Sequence, residues 1–230
     1  MKILLVGHGK MGRLVESLAG EYGCEIAGIV DPAAGTDEVT ADRWSGADVA
    51  VDFSSPDAVL ANVQALARRR MNIVLGTTGW SSHESALRAI VADAGIGIVA
   101  APNFSTGVVL FESIVAHAAM LFAQQPEFGA FVHEAHHSAK KDAPSGTALK
   151  LAGAMRSAGF ARPIDMSSTR AGSIPGTHTV GFDGPAETIV LSHTARDRTA
   201  FARGALAAAQ WVNGKRGWFS MRDVLGLTEG

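Results

Sequence analysis

Along the first hundred residues, short apolar runs alternate with stretches of helical spacing. Residues 2–6, 25–30, 48–53, 72–75 and 97–101 read as strands. Between them, residues 11–22 place Leu14, Val15 and Leu18 on one helical face, and residues 57–70 do the same with Val59, Leu60, Val63, Leu66 and Ala67. A third helix is expected over 82–94. This alternation predicts an α/β domain with a doubly wound parallel sheet and right-handed crossovers. After Asn103 the pattern changes. Residues 105–122 read as one long helix, and 127–136, 176–182 and 188–195 as strands in series with a single helix, 145–157, among them. That predicts a second, α+β domain with a mixed or antiparallel sheet. Residues 199–213 form a closing helix, and the apolar tail 217–227, with Trp218, Phe219, Met221 and Leu225, is expected to return to the first domain. The expected boundaries are 1–103 with 201–230 for the first domain and 104–200 for the second.

Composition narrows the classes. The 230 residues are 47% hydrophobic and 18% charged, enough to bury a core in one large domain or two small ones. A formal charge of −2 gives no basis for binding nucleic acid or an acidic membrane surface. Cys24 is the single cysteine, so no internal disulfide forms and a reducing compartment fits. The opening apolar run, 3–6, is too short for a signal-peptide core, and no apolar stretch approaches the ~20 residues of a membrane span. These features predict a soluble, cytoplasmic protein.

The first predicted strand runs into Gly7-His8-Gly9-Lys10-Met11-Gly12, a G-x-G-x-x-G. Such a string is weak alone. Here it follows a strand, opens a helix, and is followed nineteen residues later by Asp31 at the end of the next strand, which is the context of a dinucleotide fingerprint in a Rossmann-like sheet. Gly7 permits the tight turn, Gly9 lets backbone approach a pyrophosphate, and Gly12 lets helix and strand pack closely. The phosphates are expected at the helix N-terminus, where free N–H groups favour anions. Asp31 would accept hydrogen bonds from ribose hydroxyls and repel a 2′-phosphate, and Pro32 follows where an arginine would accommodate one. NADH is therefore favoured, with NADPH left open through Lys10 and Arg13. Gly76-Thr77-Thr78-Gly79 and Ala101-Pro102-Asn103-Phe104, like Phe53-Ser54-Ser55-Pro56, fall at strand carboxyl ends and are expected to rim the same crevice, the first two towards the nicotinamide. Each could equally be ordinary turn chemistry.

The densest chemistry lies in His133-Glu134-Ala135-His136-His137-Ser138-Ala139-Lys140-Lys141-Asp142-Ala143-Pro144-Ser145-Gly146-Thr147. Histidine suits proton transfer near neutral pH, and lysine adds positive charge for an anionic substrate. Ser145 is placed to cap the helix that follows, and the amides of Gly146 and Thr147 would then offer a carboxylate site. Two motif matches fail on context. His133-Glu134-Ala135-His136-His137 spells H-E-x-x-H, but the flanking Phe131 and Val132 predict a strand, on which residues four apart stand ~13 Å from each other, too far for one zinc. No metal is expected. Ser138-Ala139-Lys140-Lys141 spells S-x-x-K without the companion motifs of β-lactamases.

The string Glu134-Ala135-His136-His137, then Lys140, then Asp142-Ala143-Pro144-Ser145-Gly146-Thr147-Ala148 resembles the signature of the dihydrodipicolinate reductases, also called 4-hydroxy-tetrahydrodipicolinate reductases, of lysine and diaminopimelate synthesis. Asp52-Phe53-Ser54, Gly76–Gly79, Asn103-Phe104-Ser105, Arg170-Ala171-Gly172, Pro175-Gly176-Thr177-His178, Phe201–Ala205 and Met221–Leu225 are similar to family blocks in the same order. The resemblance implies that His136 is the proton donor or acceptor and Lys140 a second donor or a stabilising charge. It implies that His137, Gly146 and Thr147 hold substrate carboxylates with Ser145 close by. It also implies that Gly7, His8, Gly9, Lys10, Met11, Gly12, Asp31, Gly76, Thr77, Thr78, Ala101, Pro102, Asn103 and Phe104 contact NADH or NADPH. The family's reaction is hydride delivery to a cyclic dicarboxylate after loss of its 4-hydroxyl, and its usual assembly is a homotetramer built through the second domain. The chain departs from the family's G-x-x-G-x-M-G in a glycine loop one residue shorter, which bears on coenzyme preference. The competing readings are a reductase of another amino or keto acid on the same scaffold, a non-catalytic dinucleotide sensor, and a metal hydrolase. Arg170, His178 and His193 receive no role from sequence.

Overall fold

The computed structural model describes residues 1–31, 39, 44 and 46–227; Pro32, used above to weigh coenzyme choice, lies outside them. The chain divides into two compact units, Met1–Thr106 with Arg198–Gly230, and Gly107–Asp197.

Unit 1 carries β1 (Lys2–Val6), α1 (Lys10–Leu18), β2 (Glu25–Val30), β3 (Val49–Asp52), α2 (Val59–Arg68), β4 (Asn72–Leu75), α3 (Glu84–Ala94) and β5 (Gly97–Ala100). After the second unit the chain returns as α6 (Thr199–Val212), β10 (Gly217–Phe219) and the one-turn α7 (Met221–Val224). The six strands form one parallel sheet in the order β10-β5-β4-β3-β1-β2. Successive residues of β1 point to opposite faces, yet Ile3, Leu4, Leu5 and Val6 are all buried. Both faces are therefore covered, as a parallel sheet requires: α2 packs beside α3, and α1 beside α6. Short 3₁₀ turns at Pro56–Ala58 and Ser81–His83 lead into α2 and α3, where the sequence pattern read each as continuous helix. The apolar tail does join this sheet, since Gly217–Phe219 pairs with Gly97–Val99. Strand order reverses between β1 and β3, so the crevice expected for a ligand opens at the carboxyl ends of those two strands.

Unit 2 holds α4 (Thr106–Ala123), β6 (Gly129–His136), α5 (Gly146–Ser157), β7 (Ile164–Arg170), β8 (Thr177–Asp183) and β9 (Thr188–Thr194). Its sheet runs β7-β6-β8-β9, with β7 parallel to β6 and the other pairs antiparallel. Strand β7 was not anticipated. Its sequence, Ile-Asp-Met-Ser-Ser-Thr-Arg, buries only Ile164 fully, because β7 is an edge strand. The core face of the sheet packs against α4 and α5 through Phe111, Val115, Val132, Leu151, Met155, Val180 and Phe182. Helix α4 corrects one expectation. With 18 residues and a mean hydropathy of 1.7, it is the one helix among the described residues long and apolar enough to cross a membrane by length and composition. Here Phe111, Val115 and Ala119 join the core, while Leu110, Ile114, Met120 and Leu121 are exposed.

Asn72, at the start of β4, ties the returning segment of unit 1 to the sheet. Its side-chain amide donates to the carbonyls of Val212 and Lys215, and its oxygen accepts from the Gly97 amide at 3.0 Å. Asn72→Ala would leave a buried amide and a carbonyl unpaired. We expect a loss of about 2–3 kcal/mol in urea denaturation; a loss below about 0.5 kcal/mol would show that these bonds are replaced.

Candidate active site

In unit 1 the glycine loop is shaped by close approaches. Gly7 has φ +90°, and a Cβ there would meet the Phe53 carbonyl oxygen at 2.4 Å. A Cβ on Gly12 would meet the Gly7 oxygen at 2.2 Å. Nothing lies within 4 Å of the corresponding point on Gly9, which caps α1 without a side-chain hydrogen bond. The loops after β1 and β3 thus touch through Gly7 and Phe53, and the first-turn amides of α1 receive no side-chain cap from the Gly9 position. That donor set fits a dinucleotide pyrophosphate. His8 turns its ring to Glu16 at 2.6 Å, while Lys10 is exposed and Met11 half-buried. The Asp31 carboxylate accepts the His8 backbone N–H, so one of its oxygens holds the glycine loop.

The neighbouring clusters are more structural than their sequence implies. Asp52, wholly buried, accepts the Ser54 amide (2.9 Å), the Ser54 hydroxyl (2.7 Å), the Asn62 side chain (3.0 Å) and the Thr77 hydroxyl (2.8 Å). Thr77 is thus engaged throughout: its amide donates to the Asp52 carbonyl at 3.2 Å, and its own carbonyl accepts the Trp80 indole N–H at 2.6 Å. Gly76 is needed because the Phe53 ring lies 2.1 Å from where its Cβ would be. Thr78 is exposed. Ala101 and Phe104 are buried, the Phe104 ring edge-on to Phe53 at 6.2 Å; Asn103 accepts the Ser105 amide. Pro102 is exposed and lines a hollow of about 400 Å³ with Trp80, Arg88 and Trp218.

Unit 2 gathers the acid–base residues. Strand β6 alternates, with Ala130, Val132 and Glu134 buried and the residues between them less so. The same parity puts His178, Val180 and Phe182 of β8 on the core face, in register with Glu134, Val132 and Ala130. The core face is apolar at one end and polar at the other. Its polar end is Glu134, with no exposed surface. Arg170 grips it with two hydrogen bonds, 2.9 Å to Oε2 and 2.7 Å to Oε1. The His136 Nδ1 is bonded to Oε2, and the Ser145 amide donates to Oε1 at 3.2 Å. Burial alone would raise the Glu134 pKa. Hydrogen bonds from Arg170, Ser168 and His136 outweigh it and hold the carboxyl down at about 2.

His136 has one ring edge against Gly176, where a Cβ would stand 3.1 Å from Nε2. The His178 ring lies across it at 5.1 Å between centroids. Burial first, then repulsion from His136, lowers the His178 pKa to about 4, so this imidazole is neutral near pH 7. Its Nε2 lies 2.9 Å from the Ser145 hydroxyl, which caps α5 by accepting the Ala148 amide. Ser145 is thus turned inward, and the amides of exposed Gly146 and half-buried Thr147 stand ahead of the first helical hydrogen bond. His137, next to His136 in the chain, is half-buried, and Lys140 is paired with Asp142 at 2.7 and 2.9 Å. His133 points to the other face and bonds Ser167, so the H-E-x-x-H string lies along a strand as its flanks predicted. Glu134, Arg170 and His178 were missed as site residues, although counting by twos from Val132 and Val180 would have turned Glu134 and His178 inward.

Comparison with known proteins places this geometry. Residues 1–104 match the model of the dihydrodipicolinate reductase N-terminus, and residues 107–225 that of the dihydrodipicolinate reductase C-terminus. A 4-hydroxy-tetrahydrodipicolinate reductase of Rhodopseudomonas palustris (strain BisB5) is 40% identical, the match covering 100% of this chain and 98% of that protein. The enzyme of that name from Laribacter hongkongensis is 35% identical over 99% of this chain and 98% of its own. The dipicolinate-bound dihydrodipicolinate reductase of Paenisporosarcina sp. TG-14 shares the fold with a TM-score of 0.81 at 20% identity, covering 96% of this chain and 97% of that one. With both halves matched in order and relatives aligned end to end, the chain belongs to the dihydrodipicolinate reductase family.

Proposed function

We propose that this chain catalyses the NAD(P)H-dependent reduction of 4-hydroxy-tetrahydrodipicolinate to tetrahydrodipicolinate and water, in lysine and diaminopimelate synthesis. The observation that carries the reading is the His136 ring, fixed at Nδ1 by a buried carboxylate whose other oxygen takes the amide of the α5 cap. An acid is thereby set beside a helix terminus suited to carboxylates. The reading is supported by the relatives' names and by the glycine loop of unit 1.

In this reading Gly7 to Gly12, Asp31, Gly76 to Thr78 and Ala101 to Phe104 hold the dinucleotide, partly through backbone. NADH or NADPH held there would supply the hydride needed at the ring carbon that has lost its hydroxyl as water. The amides of Gly146 and Thr147, with His137, would hold the substrate carboxylates, and Ser145 contributes by capping and aligning α5. Lys140, shared between Asp142 and a substrate carboxylate, would balance the dianion. His136 would hold a proton at Nε2 and release it to the enamine carbon next to the reduced one, where negative charge builds. Asp31 favours NADH over NADPH, as its charge opposes a 2′-phosphate. The lone Cys24 favours a cytoplasmic setting. The exposed apolar residues of α4, with Leu149, Ile189 and Val190, support a homotetramer assembled through unit 2.

A coupled assay with freshly generated hydroxy-tetrahydrodipicolinate, run separately with NADH and NADPH, tests the activity. We expect turnover with both and a higher kcat/KM with NADH. No turnover, or turnover confined to other keto acids, would overturn the assignment. His136→Gln should lower kcat by about 10²-fold, the scale of one acid–base group, with NADH affinity unchanged; a wild-type rate would remove His136 from the chemistry.

A further inference from the structure

The Glu134–Arg170 pair has no explanation in stability. Glu134 continues the core-facing row of Ala130 and Val132, where an apolar side chain would serve. Buried ion pairs commonly stabilise no better than apolar residues of similar size, because desolvation offsets their attraction. Yet this carboxylate is fully buried, kept ionised by Arg170 with help from Ser168, and also bonded to two groups of the chemistry proposed above: the His136 ring and the amide of the residue that caps α5. An ionised carboxylate only accepts hydrogen bonds, so the ring nitrogen facing it must carry a proton.

We propose that Glu134, clamped by Arg170, is a positioning residue: it holds the His136 ring through Nδ1–H, leaves Nε2 as the nitrogen that exchanges the catalytic proton, and fixes the start of α5 in the same frame. The inference rests on His136 being the acid of the proposed reaction. The surrounding charges suit the role. Arg170 comes from β7, His178 from β8, His193 stands behind His178 on β9, and Lys140 and Asp142 come from the loop after β6. His178 is neutral, and it contributes the Ser145 contact rather than a competing proton. Arg170 is held in turn by the carbonyls of Asp142 and Thr169, so the clamp is tied to the loop that carries Lys140. Gly176, against that edge of the ring, lacks the Cβ that would stand 3.1 Å from Nε2. The constellation is a carboxylate–imidazole pair whose second oxygen and arginine lock its angle.

The test reads the ring itself. In full-length protein labelled with ¹⁵N-histidine, long-range ¹H–¹⁵N spectra at neutral pH, with His136 assigned by its loss in His136→Gln, should show a proton held at Nδ1. Glu134→Gln should lose that fixed tautomer and lower kcat about 10- to 100-fold, the usual effect of removing such a partner, with the substrate KM within about twofold. A wild-type ring with bare Nδ1 overturns the proposal. So does a Glu134→Gln enzyme with kcat within about twofold of wild type, or one in which KM rises while kcat holds, which would mark Glu134 as support for α5 alone. If Glu134→Gln does not fold, the wild-type spectrum decides. Should His136→Gln turn over at the wild-type rate, the functional reading fails, while the spectrum still reports whether Glu134 sets the ring.

Discussion

A carboxylate with no exposed surface must be neutralised by its neighbours, and in unit 2 that demand is met by Arg170 on β7, His136 on β6 and the amide of Ser145 at the head of α5. Each partner comes from a different stretch of chain. The parallel pairing of β6 with β7 sets Arg170 opposite His136, and the antiparallel pairing with β8 sets His178 opposite Glu134. The sheet's register therefore decides where the acid–base groups stand. A slip of one residue would turn Glu134 and His136 together to the opposite face and take them from Arg170 and the head of α5.

Unit 1 meets a comparable demand differently. Its sheet is buried on both faces, so ligand chemistry is confined to the strand ends, and there the loops after β1 and β3 come together only because Gly7, Gly12 and Gly76 lack side chains. Asp52 organises the rim from beneath, accepting from Ser54, Asn62 and Thr77. Both units place one buried aspartate or glutamate under the residues expected to meet a ligand, so the surface groups are held by a rigid polar support. Preorganisation of this kind lowers the reorganisation needed when charge develops.

Much of this was legible beforehand. Local patterns located strands β1 to β5 of unit 1, the glycine loop and the α5 cap, because each depends on neighbours within a few residues, whereas 217–219 read only as an apolar tail. Asp31 was read as a ribose ligand, and the structure adds that one oxygen holds the His8 amide, a contact across 23 residues that no local pattern carries. Phe104 and Thr77 sit in loops whose composition looked ligand-facing, yet the Phe104 ring is drawn into the core and the Thr77 hydroxyl into the Asp52 network. Strand β7 escaped because an edge strand exposes one side and needs few apolar residues. The role of Glu134 was hidden by its motif: the strand was expected, but beside so many histidines Glu134 drew no role of its own, while its phase along β6 already pointed inward.

The account makes one central claim, that this chain moves a hydride from a nicotinamide to the hydroxyl-bearing carbon of a cyclic dicarboxylate. Coenzyme deuterated at the transferable position of the nicotinamide, supplied with freshly made hydroxy-tetrahydrodipicolinate, tests it directly. Mass spectrometry and NMR of the product should find one deuterium per molecule at the carbon that carried the hydroxyl. A product free of coenzyme-derived deuterium, or labelled at another carbon, would contradict the account.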